Sequence, residues 1–347
     1  MPVRVLVVHP GPAFSVADVH AGLVKGLRAN GVQVFDFNFG DRLNLYSMIE
    51  LEVEGERRKA FDHEGAIRLA AESLLGELYK FWPDVIVIVS TFFMPPIILE
   101  VLEKRPHHTV AWFTESPYED RQQLQVAEHV DTVVVNDPLN LGVYRQVNPR
   151  SYYFPHSYDP DLHCPGPKVP EFECDFAFVG TGFPSRVEFF EACDFDGIEV
   201  RLAGNWQIVE DSPITKYLID DLGVCCPNDR TVDIYRSCKA SANVYRQEIN
   251  EGGRNDGVAA GPREIELAAT GTFFLRSPRP ESDRLFPMLP TFTDPGDFID
   301  RLRWWLAHDS EREAAAASAR DVVADRTFDK STARLLRLVD GAPKTVR

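Results

Sequence analysis

The sequence is short of several things, and each shortage narrows what it can be. Its 347 residues hold six cysteines, Cys164, Cys174, Cys193, Cys225, Cys226 and Cys238, with no C-x-x-C pair and no histidines at zinc spacing. A disulfide framework or a structural zinc site has no pattern to rest on, so buried free thiols in a reducing compartment are expected. Basic residues are also in deficit: 37 Lys and Arg face 53 Asp and Glu, a formal net charge of −16. That balance argues against a general nucleic-acid or membrane-surface binder, because no broad face is available to neutralise phosphates. A small basic hollow remains allowed. No apolar run reaches the roughly 20 residues that span a bilayer. The chain also enters its first strand without a charged-then-apolar leader. The expected location is cytoplasmic, with no membrane partner. No repeat of solenoid period is present.

What is there is ordinary for a globular protein: 44% hydrophobic and 26% charged residues, at a length suited to two domains. Val3 to Val8 reads as a buried strand, followed by a Gly- and Pro-broken loop from His9 to Ser15. Val16, Val19, His20, Leu23, Val24 and Leu27 then share one face of a helix, and Val32 to Phe37 returns as a strand. This β-loop-α-β unit opens many nucleotide-handling folds. His20 is either a packed residue or part of a cleft lining beside the first loop. Residues 40 to 80 read as an inserted, charged helical segment. Val85 to Val89, Thr109 to Phe113, Thr132 to Val135 and Tyr152 to Phe154 complete a first set of strands. Glu115 falls just past a strand end, on the rim where open α/β sheets bind ligands, as a base, an acceptor anchor or a helix cap.

Prolines crowd the stretch from Pro155 to Pro170, most densely at Pro165, Pro167 and Pro170, and mark a linker. The α/β pattern then restarts. The strand Cys174 to Val179 ends in Gly180-Thr181-Gly182, with Arg186 close behind. Glycines there let a backbone approach a ligand, and an arginine can reach phosphate. Arg246 ends the strand Ala240 to Tyr245. A Gly- and Asn-rich loop over residues 247 to 260 leads to a helix that places Arg263 and Glu266 one turn apart. A helix N-terminus favours anions, an arginine adds a fork suited to phosphate, and a glutamate can accept two hydroxyl hydrogen bonds. Taken alone, that stretch reads first as a capped amphipathic helix packed on a sheet, and the rest of the chain has to decide. The expected architecture is α/β, two Rossmann-like domains facing a cleft with C-terminal helices closing the structure. The expected boundaries are 1–158, a linker at 159–171, 172–325, and a final helix within 326–347.

Four segments together carry a resemblance. Trp112-Phe113-Thr114-Glu115-Ser116-Pro117-Tyr118, Tyr153-Phe154-Pro155-His156-Ser157-Tyr158-Asp159-Pro160, Phe178-Val179-Gly180 with Arg186, and Arg263-x-x-Glu266-x-x-Ala269-x-Gly271 are similar to segments of the GT-B glycosyltransferases of the spore-maturation-protein CgeB type, relatives of the family-four glycosyltransferases. The resemblance implies a nucleotide-diphosphate-sugar donor, UDP-sugar favoured, held mainly by the second domain and needing no further cofactor. It implies Glu266 on the ribose hydroxyls and Arg263 near the diphosphate. Arg186 and Arg246 would add phosphate contacts, and Gly180, Gly182, Thr270 and Gly271 complete the donor set. His156 falls at the domain junction. Family-four enzymes often carry a second glutamate eight positions before the one matching Glu266; here that position is Val258.

If transfer inverts the sugar centre, a base is needed, and the candidates are Glu115, then His20 and His156. Two Asp-x-Asp spacings, Asp159-Pro160-Asp161 and Asp194-Phe195-Asp196, read as structural or solvated, so no metal site is expected. The expected acceptor is a protein or glycan, and a nucleic acid is not an expected partner, although a DNA base stays open. A nucleotide-sugar epimerase on the same fold and a non-catalytic nucleotide-sugar-binding protein are the competing readings.

Overall fold

The computed structural model describes residues 3–11, 16–91, 93–207, 212–219, 223, 225–249 and 253–340. Pro12 to Ser15 of the first loop and Asn250 and Gly252 of the glycine-rich loop lie outside the described residues. The chain divides into two compact units. Unit 1 comprises Met1–Phe154, Glu251–Arg254 and Phe328–Arg347; unit 2 comprises Pro155–Asn250 and Asn255–Thr327.

Unit 1 begins with β1 (Arg4–Val8), α1 (Val16–Ala29), β2 (Gln33–Phe37), α2 (Phe39–Met48), β3 (Glu50–Val53), β4 (Glu56–Lys59) and α3 (His63–Phe81). It continues through β5 (Val85–Val89), α4 (Pro96–Glu103), β6 (His108–Trp112), α5 (Asp120–Ala127), β7 (Thr132–Val135), α6 (Leu141–Val147) and β8 (Ser151–Tyr153). Six of these strands form one parallel sheet in the order β2-β1-β5-β6-β7-β8. Its strands are Val-rich because both faces are covered. Alternate residues feed two cores: Leu6, Val8, Ile86, Ile88 and Val133 on one side, and Val5, Val7, Val85, Val87 and Val134 on the other. The order reverses beside β1, between β1→β2 on one side and β5 on the other, so the binding crevice of such a sheet falls at the carboxyl ends of β1 and β5.

The inserted segment differs from the helical expectation. Residues 50–59 form an antiparallel hairpin between two helices. The cause is local: Glu54 and Gly55 both have positive φ, 57° and 81°, the geometry of the two-residue turn that matches strand twist.

Unit 2 comprises β9 (Cys174–Val179), α7 (Pro184–Glu191), β10 (Val200–Ala203), α8 (Asn228–Ser237), β11 (Cys238–Asn243), α9 (Pro262–Thr270) and β12 (Phe274–Arg276), then α10 (Pro280–Leu285), α11 (Pro295–Leu306) and α12 (Asp309–Val323). Its four strands are all parallel, in the order β10-β9-β11-β12. Aromatic side chains fill the core: Phe176 packs with Phe190, Phe195 and Phe298. The last helix, α13 (Phe328–Val339), belongs to unit 1 and packs on α1. Gly22 and Gly26 make that approach possible, since a Cβ at Gly22 would lie 2.2 Å from the Phe328 ring and one at Gly26 would lie 2.6 Å from the Phe328 carbonyl oxygen.

Candidate functional site

In unit 2 the carboxyl ends of β9 and β10 are joined by glycine-mediated contacts. Gly204 has φ 109°, and a Cβ there would sit 2.6 Å from the Gly180 carbonyl oxygen. A Cβ on Gly182 would sit 2.4 Å from the buried Trp206 ring, whose Nε1 donates to the Ala203 carbonyl at 3.0 Å. The loops after β9 and β10 therefore run backbone against backbone, with the Gly180 N–H on Ala203 and the Gly182 N–H on Asn205. Only glycine allows this approach.

Arg186 and Arg263 both come to this rim, and both are anchored. Arg186 is buried; its Nε donates to the Val244 carbonyl at 2.8 Å and its Nη1 to the Thr181 carbonyl at 2.9 Å. Arg263 is half-buried, with Nε on the Val179 carbonyl at 2.8 Å, Nη1 on Asn243 Oδ1 at 2.9 Å, and its guanidinium 4.6 Å from the Phe178 ring centroid. Gly180 leaves it room, because a Cβ there would lie 2.2 Å from Nη2. Glu266 follows one turn later, half-buried. Burial first, and the nearby Glu266 carboxylate as well, push the Tyr235 hydroxyl pKa up, opposed by Arg263, which also hydrogen-bonds that hydroxyl. Arg246 is half-buried past the end of β11, 5.4 Å from the Phe183 ring centroid.

Gly180, Gly182, Arg186, Arg246, Arg263 and Glu266 are thus gathered at one rim. Thr270 and Gly271 are at the other end of α9, one turn beyond Glu266 and about 13 Å from the first residue of this nine-residue helix. Thr270 Oγ1 donates to the Leu267 carbonyl at 2.9 Å, and Gly271 forms the left-handed C-cap.

Sequence reasoning missed the buried residue that fixes α9. Glu264 is fully buried and accepts from the Tyr245 hydroxyl at 2.6 Å, the Gly261 N–H at 2.8 Å and the Ser282 hydroxyl at 2.7 Å. Burial raises its pKa, and these hydrogen bonds oppose the rise. The signal was available in the capping spacing from Gly261 to Glu264. Arg279 covers the Tyr245 ring, 3.6 Å from its centroid. His156, in unit 2, is half-buried among Glu281, Arg326 and Arg279. Glu281 there accepts from Arg326 Nη2 at 2.7 Å and from the Ala260 N–H at 2.7 Å.

Burial lowers the His156 pKa to about 4, with Glu281 pulling it up and the two arginines pulling it down. The unfolded chain takes this proton near pH 6.5, so the folded state is favoured above 6.5 and loses stability as pH falls toward 4. His156→Gln should flatten the fall in unfolding stability between pH 6.5 and 4. Parallel curves for variant and wild type would contradict the assignment.

Unit 1 carries a second constellation at the carboxyl ends of β1 and β2. His20 is buried on α1, and its Nε2 lies 3.0 Å from Asp36 Oδ1. That hydrogen bond is the leading cause holding the Asp36 carboxyl below its usual range. His9, directly after β1, stands edge-on to His20 at 4.7 Å between ring centroids and accepts the Gly11 N–H at Nδ1, 3.2 Å. Burial, then the neighbouring His20, lowers the His9 pKa. Neither Asp36 nor His9 was singled out from sequence; a carboxylate on the strand after a histidine-bearing helix was the usable signal. Glu115 is half-buried past the end of β6, where Ser116 and Asn136 exchange two hydrogen bonds of 3.0 Å. β5 lies between β1 and β6, so Glu115 is roughly 10 Å from the histidine pair in the sheet direction.

Comparison with known proteins agrees with this architecture. A sequence family described as glycosyl transferase-like matches residues 186–337. A search of curated protein sequences returns no match. Among solved structures, the chain is similar to sucrose-phosphate synthase (tll1590) from Thermosynechococcus elongatus, with TM-score 0.69, 12% identity, and 98% of this chain and 100% of that one covered. It is also similar to trehalose-6-phosphate synthase OtsA, with TM-score 0.64, 11% identity and coverage of 97% and 99%. Anabaena Alr3699/HepE in complex with UDP-glucose aligns with TM-score 0.61, 10% identity and coverage of 96% and 99%. The fold is the GT-B fold of these glycosyltransferases. Among the described residues, no helix is long and apolar enough to cross a membrane.

Proposed function

We propose that this chain is a glycosyltransferase that moves a sugar from a nucleotide-diphosphate sugar, UDP-sugar favoured, to a protein or glycan acceptor in the cytoplasm. Within the GT-B group it is assigned to the CgeB-like glycosyltransferases. The observation that carries the reading is the unit 2 rim: Gly180, Gly182, Arg186, Arg246, Arg263 and Glu266 meet at the carboxyl ends of parallel strands. Glu266, one turn into α9, is assigned to the ribose hydroxyls. Arg186 and Arg263 are held by backbone carbonyls, so their positive charge is fixed before the ligand arrives. Charge that is already oriented stabilises a leaving diphosphate without reorganisation, and this supports a metal-independent transfer. Sugar transfer breaks the bond from the anomeric carbon to the diphosphate and forms one to the acceptor oxygen. The acceptor proton is assigned to His20, with Asp36 stabilising the imidazolium that results. Glu115 and His156 remain the alternative bases, and the paired geometry at 3.0 Å favours His20.

Val258, in place of the family-four glutamate, keeps one rival in view, a protein that binds the donor without turning it over. Labelled UDP-, GDP- and TDP-sugars decide between them. Sugar release or transfer from one of these donors, undiminished by a chelator, is the expected result. Tight binding with no turnover would leave the binding protein; activity abolished by the chelator would end the metal-independent mechanism.

A further inference from the structure

Within unit 1, β3 and β4 form a two-stranded sheet of their own, and all eight of their residues are exposed. A two-stranded hairpin standing by itself in water is marginal in stability, so a persistent one needs a covering surface. The pairing register puts Leu51 opposite Arg58, Val53 opposite Glu56, Glu50 opposite Lys59 and Glu52 opposite Arg57. Opposed residues and residues two apart share a face. One face is therefore Leu51, Val53, Arg58 and Glu56, and the other is wholly charged. Apolar exposure concentrates here. Of the thirteen exposed large hydrophobic residues among those described, five fall between residues 45 and 61: Leu45, Met48, Leu51, Val53 and Phe61.

Charge identifies the occupant. Residues 50–59 carry Glu50, Glu52, Glu54 and Glu56 against Arg57, Arg58 and Lys59, close to balance in a chain of net charge −16. Most pairs of surfaces on two such chains repel each other. This face does not, because it carries one acid and one base, Glu56 and Arg58 on β4, beside the apolar pair Leu51 and Val53 on β3. Within one copy Arg58 and Glu56 pair at 2.9 Å, which keeps both on the Leu51–Val53 face. A two-fold axis through that face sets Arg58 against the partner's Glu56 twice, with Leu51 and Val53 closed between them. A patch that repeats on itself in this way makes an isologous contact. We infer that the β3–β4 hairpin is the surface through which two copies of this chain associate. Four side chains per copy make a small contact, of the weak and transient kind, so the association is expected in the micromolar range.

Sedimentation velocity from about 1 to 100 µM reads the association directly. Wild type should shift from monomer to dimer across this range. The double variant Leu51→Glu/Val53→Glu should stay monomeric with an unchanged circular-dichroism spectrum. Arg58→Glu and Glu56→Arg should each weaken the dimer at least tenfold when alone. Mixing these two single variants should restore association, because each reversed side chain then meets its opposite across the axis, an outcome that pairing within one copy does not produce. A wild type that is monomeric throughout, a dimer that survives Leu51→Glu/Val53→Glu, or a mixture of the single variants that stays monomeric would each overturn the inference.

Discussion

Arg263→Ala is expected to lower the stability of unit 2 by about 2–4 kcal/mol and to take donor affinity with it. The side chain links three elements. From α9 it reaches the last carbonyl of β9 and the Asn243 amide oxygen at the end of β11, and it covers the Phe178 ring. Removing it leaves the Val179 carbonyl and Asn243 Oδ1 without these donors and opens a hollow beside Gly180. For a unit of this size that corresponds to a fall in melting temperature of roughly 6–12 °C. Arg263→Lys should not rescue it, since a point ammonium cannot hold two acceptors in the fork geometry. Gly180→Ala offers an independent route to the same defect, because its Cβ would collide with Nη2 at 2.2 Å. Thermal unfolding by circular dichroism checks all three variants. An Arg263→Ala protein as stable as wild type would mean that the guanidinium is not the tie described.

His20→Ala is expected to reduce kcat by about 10²–10⁴-fold while donor affinity stays as it was. The imidazole Nε2 lies 3.0 Å from an Asp36 carboxylate oxygen, and Nδ1 is the nitrogen left to take the acceptor proton. Asp36→Asn should fall between wild type and His20→Ala, because it keeps a polar partner and removes the charge that stabilises the imidazolium. A residue that serves packing alone would change stability and leave kcat near wild type. The contact between the two side chains is checked separately by the Asp36 titration, which NMR can follow. The hydrogen bond from His20 is the leading cause of its depressed pKa, so in His20→Ala the carboxyl should titrate higher, nearer the ordinary aspartate range. A kcat within about threefold of wild type, under conditions where chemistry limits, would remove His20 from the mechanism.

Much of this fold was legible from the sequence because buried parallel strands leave a coarse mark. Val85 to Val89 and Thr132 to Val135 cannot be solvated, so their identity as strands survives any local ambiguity. The β3–β4 hairpin left a fainter mark. Its residues are nearly all polar, and the alternation in Glu50-Leu51-Glu52-Val53 is carried by two apolar side chains. The decisive signal was the Glu54-Gly55 turn, which composition obscured. At the unit 2 rim, the sequence singled out Arg186, Arg263 and Glu266 as candidates but not the partners of the two arginines. Arg263 finds its carbonyl 84 residues earlier and Arg186 finds its own 58 residues later. No local pattern encodes such partners. The same holds for Asp36, which lies 16 residues beyond His20 and meets it only once β2 has paired with β1.

The central claim is that the unit 2 rim holds a nucleotide-diphosphate sugar with Glu266 on its ribose, and calorimetric titration tests it most directly. UDP-glucose would be titrated into wild type and Glu266→Gln, with GDP- and TDP-sugars as parallel donors. The account expects saturable binding by wild type to at least one donor. It also expects a loss of tenfold or more in Glu266→Gln, about 1.4 kcal/mol, at an unchanged melting temperature. Equal affinity in the two proteins, or no binding of any of these donors at about 1 mM, would contradict it.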